Sequence, residues 1–530
     1  MTTVLAVVVL AGITPSSPYS WKLIPGDGPA APLAAVSRSL GLGSLSITAA
    51  GVVGIVVMAL GIVAFLYCLR VAWRGELSVR TVLGLAIAFQ VIFAALPLVF
   101  SQDVFSYAMY ARIGAIYHQN PYVVTPTHFP NDPIYPYVGW GWRSTPAVYG
   151  PAFTLLSEGL ARFIHDPLAL VVSFKLLAAA AGIGTLLIIT WVARRLAPGR
   201  AAFAVALFGW NPAIWAYATG GGHNDMLVAL AVAGAFALLG RARDEVDPGR
   251  RRWELGAIAV LTLGSLIKVS IAPALVLAVV ASIALRPAGK RLGLFAREVG
   301  VVAVLTIAFA APFWQTHDPS LGLYSLVSHR DWSSPVRFLL ATVGGLGDLI
   351  AGHTGRSVIE VLVRIAVAAA GIYALIVVAT SVAKRASRSV TPAANGDTVL
   401  AWTPKAEGAS WAWILLVFTL VSPVVLPWYL AWSLPVAWLM ARGGRNAVVL
   451  VSVVLAATHT VSRPSLVPRL WNDMLIVGHD VIGPLLFLVL VWLVVALEKM
   501  RRVDAPLEDP DLVPAFAAPS RPVPASSAAG

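Results

Sequence analysis

Long apolar runs recur along this 530-residue chain, and they constrain its fold more than any motif does. Residues 44–69, 81–100 and 168–193 are examples, each close to the roughly 20 residues that a helix needs to cross the core of a bilayer. In lipid, every backbone polar group must be paired within its own segment, so these runs are expected to be helices. The pattern predicts an all-α, polytopic transmembrane helix bundle with about 13–14 membrane helices.

Composition supports a membrane protein. Hydrophobic residues make up 58% of the chain and charged residues 12%, and the mean hydropathy is +0.81. The net charge of +13 does not indicate nucleic-acid binding, because the basic residues lie at the ends of apolar runs rather than along one face. Cys68 is the only cysteine, so the chain can form neither an internal disulfide nor a cysteine cluster for a metal. The expected partner is therefore the lipid bilayer and not a nucleic acid.

Basic residues also predict which side of the membrane each connection occupies. Lys and Arg cluster in alternate connections, for example 70–80, 193–200 and 241–252, which the positive-inside rule assigns to the cytoplasm. The run 81–100 then emerges on the outer face just before Asp103. We expect a multi-pass protein of the cytoplasmic membrane with both termini inside and its active site on the outer face.

The domain organisation follows from the same pattern. Residues 1–502 are expected to form one transmembrane domain, in which 1–13 is a short first membrane helix. Residues 101–166 form the longest outer loop, rich in Tyr, Trp, Pro and His, which is expected to bear interfacial helices and the catalytic groups. A second outer loop is expected at 315–356. The Pro-, Ala- and Ser-rich segment 503–530 is predicted to be a disordered cytoplasmic tail.

Two apolar stretches are predicted to be broken helix pairs. Residues 254–285 have basic clusters at both ends and Lys268 in the middle, which indicates two short helices that meet at the outer face. The second pair turns at "LPWYLAW", residues 426–432. An intramembrane cation indicates a functional site by default, but Lys268 could also extend towards the lipid headgroups, and the sequence leaves both open.

An acid, Asp103, stands where an apolar run meets the outer loop. Helical spacing places Ser106, Tyr107 and Tyr110 on the same face, which predicts an amphipathic interfacial helix. The helix dipole would favour the ionised carboxylate at this N-terminus. The residue could be a helix cap, a catalytic group or both.

A second polar cluster is "GGGHNDM", where His223, Asn224 and Asp225 follow three glycines at an outer helix junction. Glycines allow the backbone to approach a ligand closely. An N-cap would account for Asn224 or Asp225 but not for three consecutive polar residues in an apolar context. The pattern favours a ligand site.

Aromatic residues concentrate in the outer connections. Trp428 and Tyr429 lie in "LPWYLAW", and Trp140, Trp142 and Tyr149 lie in "GWGWRSTPAVYGP". They could belong to the interfacial aromatic belt, or they could pack against the C–H faces of sugar rings.

The absent motifs narrow the chemistry. The sequence has no P-loop, no dinucleotide fingerprint and no His-Glu-x-x-His pattern. An Asp-x-Asp tripeptide, Asp509 to Asp511, lies in the predicted tail and is therefore discounted as a nucleotide-sugar metal site. We expect no cofactor and no nucleotide.

Several motifs in order resemble one family. "SQDVFSYAMYARIGAIYHQNPYVVTP", "STPAVYGP", "GGGHNDM", the lysine of "LIKVSIAP" and "LPWYLAW" resemble the polyprenol-phosphate-mannose-dependent α(1→6)-mannosyltransferases of actinobacteria, which are GT-C membrane glycosyltransferases. The resemblance covers roughly residues 40–500. It implies transfer of mannose from polyprenyl-phosphate-mannose to a mannan or lipoglycan acceptor, by an inverting single displacement outside the membrane and without nucleotide.

The resemblance also implies roles for individual residues. Asp103 corresponds to the general base of the family, and His223 and Lys268 are candidates for binding the donor phosphate. The candidates for binding the sugar or acceptor are Tyr107, Tyr149, Asn224, Asp225, Trp428 and Tyr429. Many members of the wider superfamily carry paired acids in this loop, but the next acid here is Asp132, so a divalent metal is not expected.

Three alternatives stay open at this point. A transporter or flippase of polyprenyl-linked sugars would share broken helices and outer aromatics, although no inverted repeat is evident. A scaffold that binds lipid-linked sugar without chemistry is another. The donor sugar of an enzyme could also be glucose or a pentofuranose.

Overall fold

The computed structural model describes residues 20–21, 39, 41, 46–244, 249–314, 321–322, 334–388, 390–392, 398–400, 403–461 and 481–512. The predicted first membrane helix, 1–13, lies outside these residues. Two short antiparallel pairs supply the strands of the described part. Strand β1 (Ser20–Trp21) pairs with β2 (Leu98–Val99), and β3 (Val390–Pro392) pairs with β4 (Thr398–Leu400).

Helices dominate the described segments, which confirms the predicted all-α membrane fold. They are α1 (Ile47–Trp73), α2 (Val79–Ala95), α3 (Asp103–Ala115), α4 (Pro151–Phe163), α5 (Pro167–Leu196), α6 (Ala201–Gly209), a π-helix (Ala213–Thr219), α7 (Asp225–Ala242), α8 (Gly249–Ile267), α9 (Ala272–Ala284), α10 (Ala288–Ala310), α11 (Pro335–Arg388), α12 (Pro404–Val421), α13 (Leu434–Ala437), α14 (Arg442–Val461) and α15 (Gly483–Arg502).

Seven helices in the described part are long and apolar enough to cross a membrane, and two shorter apolar helices, Val79–Ala95 and Val269–Ala284, accompany them. The protein is thus a polytopic helical membrane protein. The total of about 13–14 membrane helices stays a prediction. The core lies around α6 and α12, which are buried along nearly their whole length.

Both predicted helix breaks occur in the structure. Helix α8 ends at Ile267, Lys268 has an extended backbone with φ −150°, and α9 begins after a 3₁₀ turn. Helix α12 ends at Val421, and a 3₁₀ helix spans Pro427–Trp432. Because irregular backbone inside a membrane protein is tolerated where protein surrounds it, these two buried breaks mark the interior where a site can form.

Within the predicted outer loop 315–356, the residues from Pro335 onward are helical rather than irregular, and α11 continues to Arg388. The outer location of this segment stays a prediction. This helix folds back at Gly352, which has φ +57°. Asp348 and Arg356 form a 2.8 Å ion pair across the bend, whereas eight residues of a straight helix would span about 12 Å. The glycine-rich sequence resembles a loop but forms the tip of a helical hairpin.

The first part of the predicted disordered tail packs against the bundle. Within 503–512, the backbone of Leu507 and Asp509 pairs with that of Ala441 and Leu439, and the buried Asp509 carboxylate forms an ion pair with Arg445. These backbone and charge contacts compensate for the low apolar content that suggested disorder. The rest of the tail lies outside the described residues.

Candidate active site

Helix α3 places Asp103 at its first helical position. The N-cap position belongs to Gln102, so the cap interpretation of Asp103 is wrong, and the Ser101 hydroxyl accepts a hydrogen bond from the Asp103 N–H at 3.2 Å. Every residue from Val104 to Ile113 is buried. The prediction that one face of this helix is exposed is therefore wrong: α4 and the outer loop cover the apolar side, and the polar side faces the protein interior. Its position at the membrane interface stays a prediction.

A tight backbone turn carries the polar cluster of "GGGHND". The turn follows the π-helix, an arrangement that is frequent at functional sites, and Gly222 has φ +65°. A Cβ atom on Gly220 would lie 2.2 Å from the Ala216 carbonyl oxygen. Asn224 occupies the N-cap position of α7, but its side chain makes no capping hydrogen bond. The side chains of this turn are thus available to the site.

Asp103 and His223 of the polar cluster are 120 residues apart in the sequence but are neighbours in the structure. The Asp103 Oδ2 lies 3.6 Å from the His223 Nδ1, and the Tyr107 hydroxyl lies 3.3 Å from the same nitrogen. The Tyr107 hydroxyl also donates to the Asn224 Oδ1 at 3.4 Å. His223 is fully buried, whereas 23% of the Asp103 side chain is exposed. The carboxylate is therefore held by the cluster and can still be reached from outside.

The electrostatics of this pair are unusual. Burial, with a smaller contribution from Asp225, raises the pKa of Asp103 to about 6, although Lys268 and the Ser101 hydroxyl oppose the shift. Burial and the nearby Lys268 and His459 hold the pKa of His223 well below its ordinary value. An acid with a pKa near 6 is suited to accept a proton near neutral pH, and a neutral imidazole can donate one hydrogen bond and accept another.

Lys268 lies beside the cluster in a buried ion pair. Its ammonium donates to both Asp225 carboxylate oxygens, at 2.8 and 3.1 Å, and lies 4.2 Å from the centre of the Tyr429 ring. The Trp432 indole N–H donates to the same carboxylate at 2.6 Å. The alternative that Lys268 extends towards the headgroups is wrong, because only 9% of the residue is exposed.

Aromatic rings line the cluster. Trp428 stacks on the His223 ring with centroids 3.7 Å apart, Tyr429 stacks on Trp432 at 4.5 Å, and Tyr149 meets Tyr107 edge-on at 4.7 Å. Trp428, Tyr429 and Tyr149 are buried, so the membrane-belt interpretation is wrong for them. The structure does not bring Trp140 into this cluster: it is 86% exposed.

The turn after Tyr149 is joined directly to the break at Lys268. The Gly150 N–H donates to the Ile267 carbonyl at 3.0 Å, and a Cβ atom on Gly150 would lie 2.1 Å from the Leu266 carbonyl oxygen. This close approach requires glycine. It holds Tyr149 and Lys268 on the same wall of the site.

Three site residues were missed at the sequence level. Trp432 lies within a motif already recognised, and His459 is a histidine near the end of α14 whose ring lies edge-on to Trp428 at 5.3 Å. Lys175, a buried lysine inside an apolar run, donates to the carbonyls of Leu96 and Pro97, just before Asp103. A polar residue inside an apolar run was the available signal for His459 and Lys175.

Asp132 has a separate role within the outer loop. Its carboxylate binds Arg112 and the Tyr117 hydroxyl, each at 2.8 Å. No group of three or more His, Cys, Asp or Glu side chains arranged to hold a metal occurs among the residues the structure describes. The expectation that no metal takes part stays a prediction.

The helical membrane fold, the accessible acid, the buried histidine and the aromatic cluster are the features of a polytopic membrane enzyme. The chain belongs to the alpha-(1->6)-mannopyranosyltransferase family, whose N-terminal domain matches residues 10–285, more than half of the chain. The protein is therefore a glycosyltransferase of the mannosyltransferase class. The matched segment contains Asp103, His223 and Lys268, whereas Trp428 and Tyr429 lie beyond it.

Curated relatives agree with this assignment. The chain is 26% identical over 466 residues to a protein of Mycolicibacterium smegmatis named probable alpha-(1->6)-mannopyranosyltransferase, covering 82% of this chain and 76% of that one. It is 25% identical to an alpha-(1->6)-mannopyranosyltransferase of Mycobacterium tuberculosis, covering 68% and 66% of the two chains. It is 26% identical to alpha-(1->6)-mannopyranosyltransferase A of that organism, covering 71% and 69%. No solved structure matches the chain.

Proposed function

We propose that the protein transfers mannose from polyprenyl-phosphate-mannose to a mannan or lipoglycan acceptor, forming an α(1→6) linkage by an inverting single displacement. The observation that carries this proposal is the accessible Asp103 carboxylate, which lies 3.6 Å from a buried neutral histidine and has a pKa raised to about 6. This is the arrangement expected of a general base beside a group that binds an anion.

In the proposed step, an acceptor hydroxyl attacks the anomeric carbon of the donor mannose. Asp103 accepts the proton of that hydroxyl as the new C–O bond forms. The bond between the anomeric carbon and the phosphate oxygen breaks, and polyprenyl phosphate leaves with the bonding electrons. A positioned base of this kind contributes roughly 10²- to 10⁴-fold to the rate.

His223 is proposed to hold the departing phosphate. Its Nδ1 faces the Tyr107 hydroxyl, and its buried Nε2 has no hydrogen-bond partner among the described residues. When the Tyr107 proton points to Nδ1 rather than to the Asn224 Oδ1, the imidazole accepts at Nδ1 and carries its own proton on Nε2, where it can donate to a phosphate oxygen.

Lys268 is the second proposed phosphate contact, and Asp225 compensates its charge before the donor arrives. An ammonium group has three donors, so binding to Asp225 leaves capacity for a phosphate oxygen. Asp225 thus serves primarily to hold Lys268 in place, and its proposed contact with sugar hydroxyls is secondary.

The remaining residues are proposed to bind the sugar and acceptor. The Asn224 Nδ2 is buried and has no partner among the described residues, so it can donate to a sugar hydroxyl. Tyr107, Tyr149, Trp428 and Tyr429 supply flat faces on which the C–H groups of a sugar ring can pack. These rings are fixed by stacking, which favours one sugar orientation.

We place the reaction on the outer face of the cytoplasmic membrane, with both termini cytoplasmic, in accordance with the distribution of basic connections. A polyprenyl chain keeps its phosphate at the depth of the headgroups. The membrane-boundary position inferred for Asp103 suits such a donor. No cofactor or divalent metal is required by the proposed step.

Purified protein in detergent tests the proposal directly. With polyprenyl-phosphate-mannose and an α-mannoside acceptor, we expect an α(1→6)-linked product and an equal amount of free polyprenyl phosphate, undiminished by EDTA. Reactions with GDP-mannose, polyprenyl-phosphate-glucose and a polyprenyl-phosphate pentofuranose serve as donor controls. Preferred use of any of these would overturn the proposed donor, and another linkage would overturn the proposed acceptor position.

A further inference from the structure

A groove of about 700 Å³ opens between α1 and α14, away from the candidate active site. Arg442 and His459 lie at opposite ends of α14, so the groove and the active-site cluster are about 26 Å apart along that helix. Helix α2 likewise leads from the groove end of α1 towards Asp103. The groove therefore lies near the opposite membrane face from the candidate active site.

Four arginines line one end of this groove. Arg70 and Arg74 come from the end of α1, and Arg442 and Arg445 come from the start of α14. Asp511 is the acidic residue in the lining. The groove is therefore strongly electropositive.

The four arginines are not equivalent. Arg445 is committed to the structure, because it pairs with Asp509 and lies 3.9 Å from the centre of the Trp73 ring. Arg70 and Arg442 are exposed and have no ion pair with any residue that the structure describes. Arg74 makes a 3.8 Å contact with Glu76 in which both side chains are exposed. Three cations at the mouth are thus available for an anion.

The wall beyond the arginines is apolar. Closer to the middle of the membrane, the groove is lined by Leu66 on α1 and by Val449 and Leu450 on α14. Leu66 is 41% exposed and Leu450 is 43% exposed, so both side chains face the bilayer. The groove combines cations at headgroup depth with an apolar surface at acyl-chain depth, which is the pattern of a basic lipid-headgroup pocket between membrane helices.

We propose that this groove binds an anionic glycerophospholipid from the leaflet opposite the candidate active site. Arg70, Arg74 and Arg442 bind the headgroup phosphate, and the acyl chains lie along Leu66 and Leu450. Arg445 and Trp73 form the floor, where Arg200 also lies 4.0 Å from the centre of the Trp73 ring. Free phosphate has the same headgroup chemistry, but it does not use the apolar wall.

Native mass spectrometry of the full-length protein in neutral detergent tests this site. The probes are dioleoylphosphatidylglycerol, zwitterionic dioleoylphosphatidylcholine and inorganic phosphate. We expect one tightly bound phosphatidylglycerol and weaker phosphatidylcholine binding, with inorganic phosphate unable to displace the lipid at equal concentration. Equal binding of the two lipids, or displacement of lipid by equimolar phosphate, would overturn the proposal.

Variants then locate the site. Arg70→Gln with Arg442→Gln is expected to weaken phosphatidylglycerol binding roughly 25-fold, about fivefold for each arginine. Arg80→Gln with Lys290→Gln removes the same charge from exposed positions outside the groove and is expected to leave binding unchanged. Equal affinities for the two double variants would contradict the assignment. If the groove double variant fails to fold, the lipid discrimination of the unmodified protein still decides the proposal.

Discussion

The two ends of the α7–α8 hairpin use buried charge in different ways. At the site end, the Asp103 carboxylate lies 3.6 Å from the neutral His223 ring. At the far end, both carboxylate oxygens of the fully buried Glu254 accept guanidinium hydrogen bonds. The donors are Arg243 at 2.8 Å, Arg250 at 3.0 Å and Arg286 at 2.8 Å.

This difference separates a structural acid from one that can take a proton. Three guanidinium groups bind the Glu254 carboxylate and occupy both of its oxygens. Asp103 is partly exposed and its pKa is raised to about 6. Unpaired buried atoms do not distinguish the two ends, because Arg250 Nη2 and His223 Nε2 are both without partners in the described part. What distinguishes the two ends is the number of cations around each carboxylate.

The largest expected effect is that of Asp103→Asn. The amide keeps the shape of the side chain but cannot accept the acceptor proton, so we expect kcat to fall roughly 10²- to 10⁴-fold. Release of polyprenyl phosphate measures it. Asp166→Asn is the matched control, because Asp166 is an exposed N-cap of α5 and asparagine caps equally well. Unimpaired turnover in Asp103→Asn would contradict the assignment of the base.

Glu254→Gln is expected to affect stability rather than chemistry. It leaves three buried guanidinium groups without their shared carboxylate, so we expect the free energy of unfolding to fall by on the order of 3–5 kcal/mol. Thermal unfolding followed by size-exclusion chromatography should show the loss, while kcat per folded molecule stays unchanged. Glu498→Gln, which weakens the pairing with Arg501 and Arg502 at the end of α15, is the control and should lower the unfolding temperature much less. A lower kcat at unchanged stability would remove the contrast between the two ends.

His223→Gln is expected to lower kcat/KM for the donor about 10- to 150-fold, the value of a hydrogen bond to a charged group. Steady-state kinetics with varied donor measures this. The loop variant His165→Gln, at an exposed position, is the control and should behave like the unmodified protein. An unchanged kcat/KM would exclude His223 from the phosphate site.

The next effect is a roughly tenfold change of kcat/KM per pH unit in acid. Because Asp103 acts when ionised and its pKa is about 6, kcat/KM should fall about tenfold per pH unit below 6 and level off above it. Because folding raises the pKa of Asp103 from 3.8 to about 6, this group stabilises the fold fully below pH 3.8 and loses that contribution as the pH rises to 6, so acid inactivation does not arise from unfolding driven by this group. A flat profile between pH 5 and 8 in folded protein would rule out the predicted titration.

The smallest effect is expected for Trp428→Leu. Loss of the ring stacked on His223 should raise the donor KM about two- to tenfold, and Trp428→Phe should restore part of it. Trp140→Leu, at an exposed position outside the cluster, is the control and should leave KM unchanged. If the two leucine variants behave alike, Trp428 has no part in the site.

Much of the site could be predicted from the sequence because its residues interrupt apolar runs. A polar residue in such a run is costly unless it has a function, so Asp103, His223 and Lys268 stood out without any structure. The helix breaks at Lys268 and in "LPWYLAW" were predictable for the same reason, from charge and turn residues within apolar stretches. The predictions that failed concern how a segment packs against the rest of the protein: α3 is buried rather than exposed on one face, and α11 folds back on itself.

The sequence by itself determined the membrane fold, the helix breaks and the motifs of the family, because hydropathy and chain breaks are local properties. Only the tertiary structure decided which polar groups meet. Asp225 binds Lys268 from 43 positions away, and His459 reaches Trp428 from another helix. Such contacts depend on how distant helices pack, and packing sets the burial and neighbouring charges that turn an acid such as Asp103 into a candidate base.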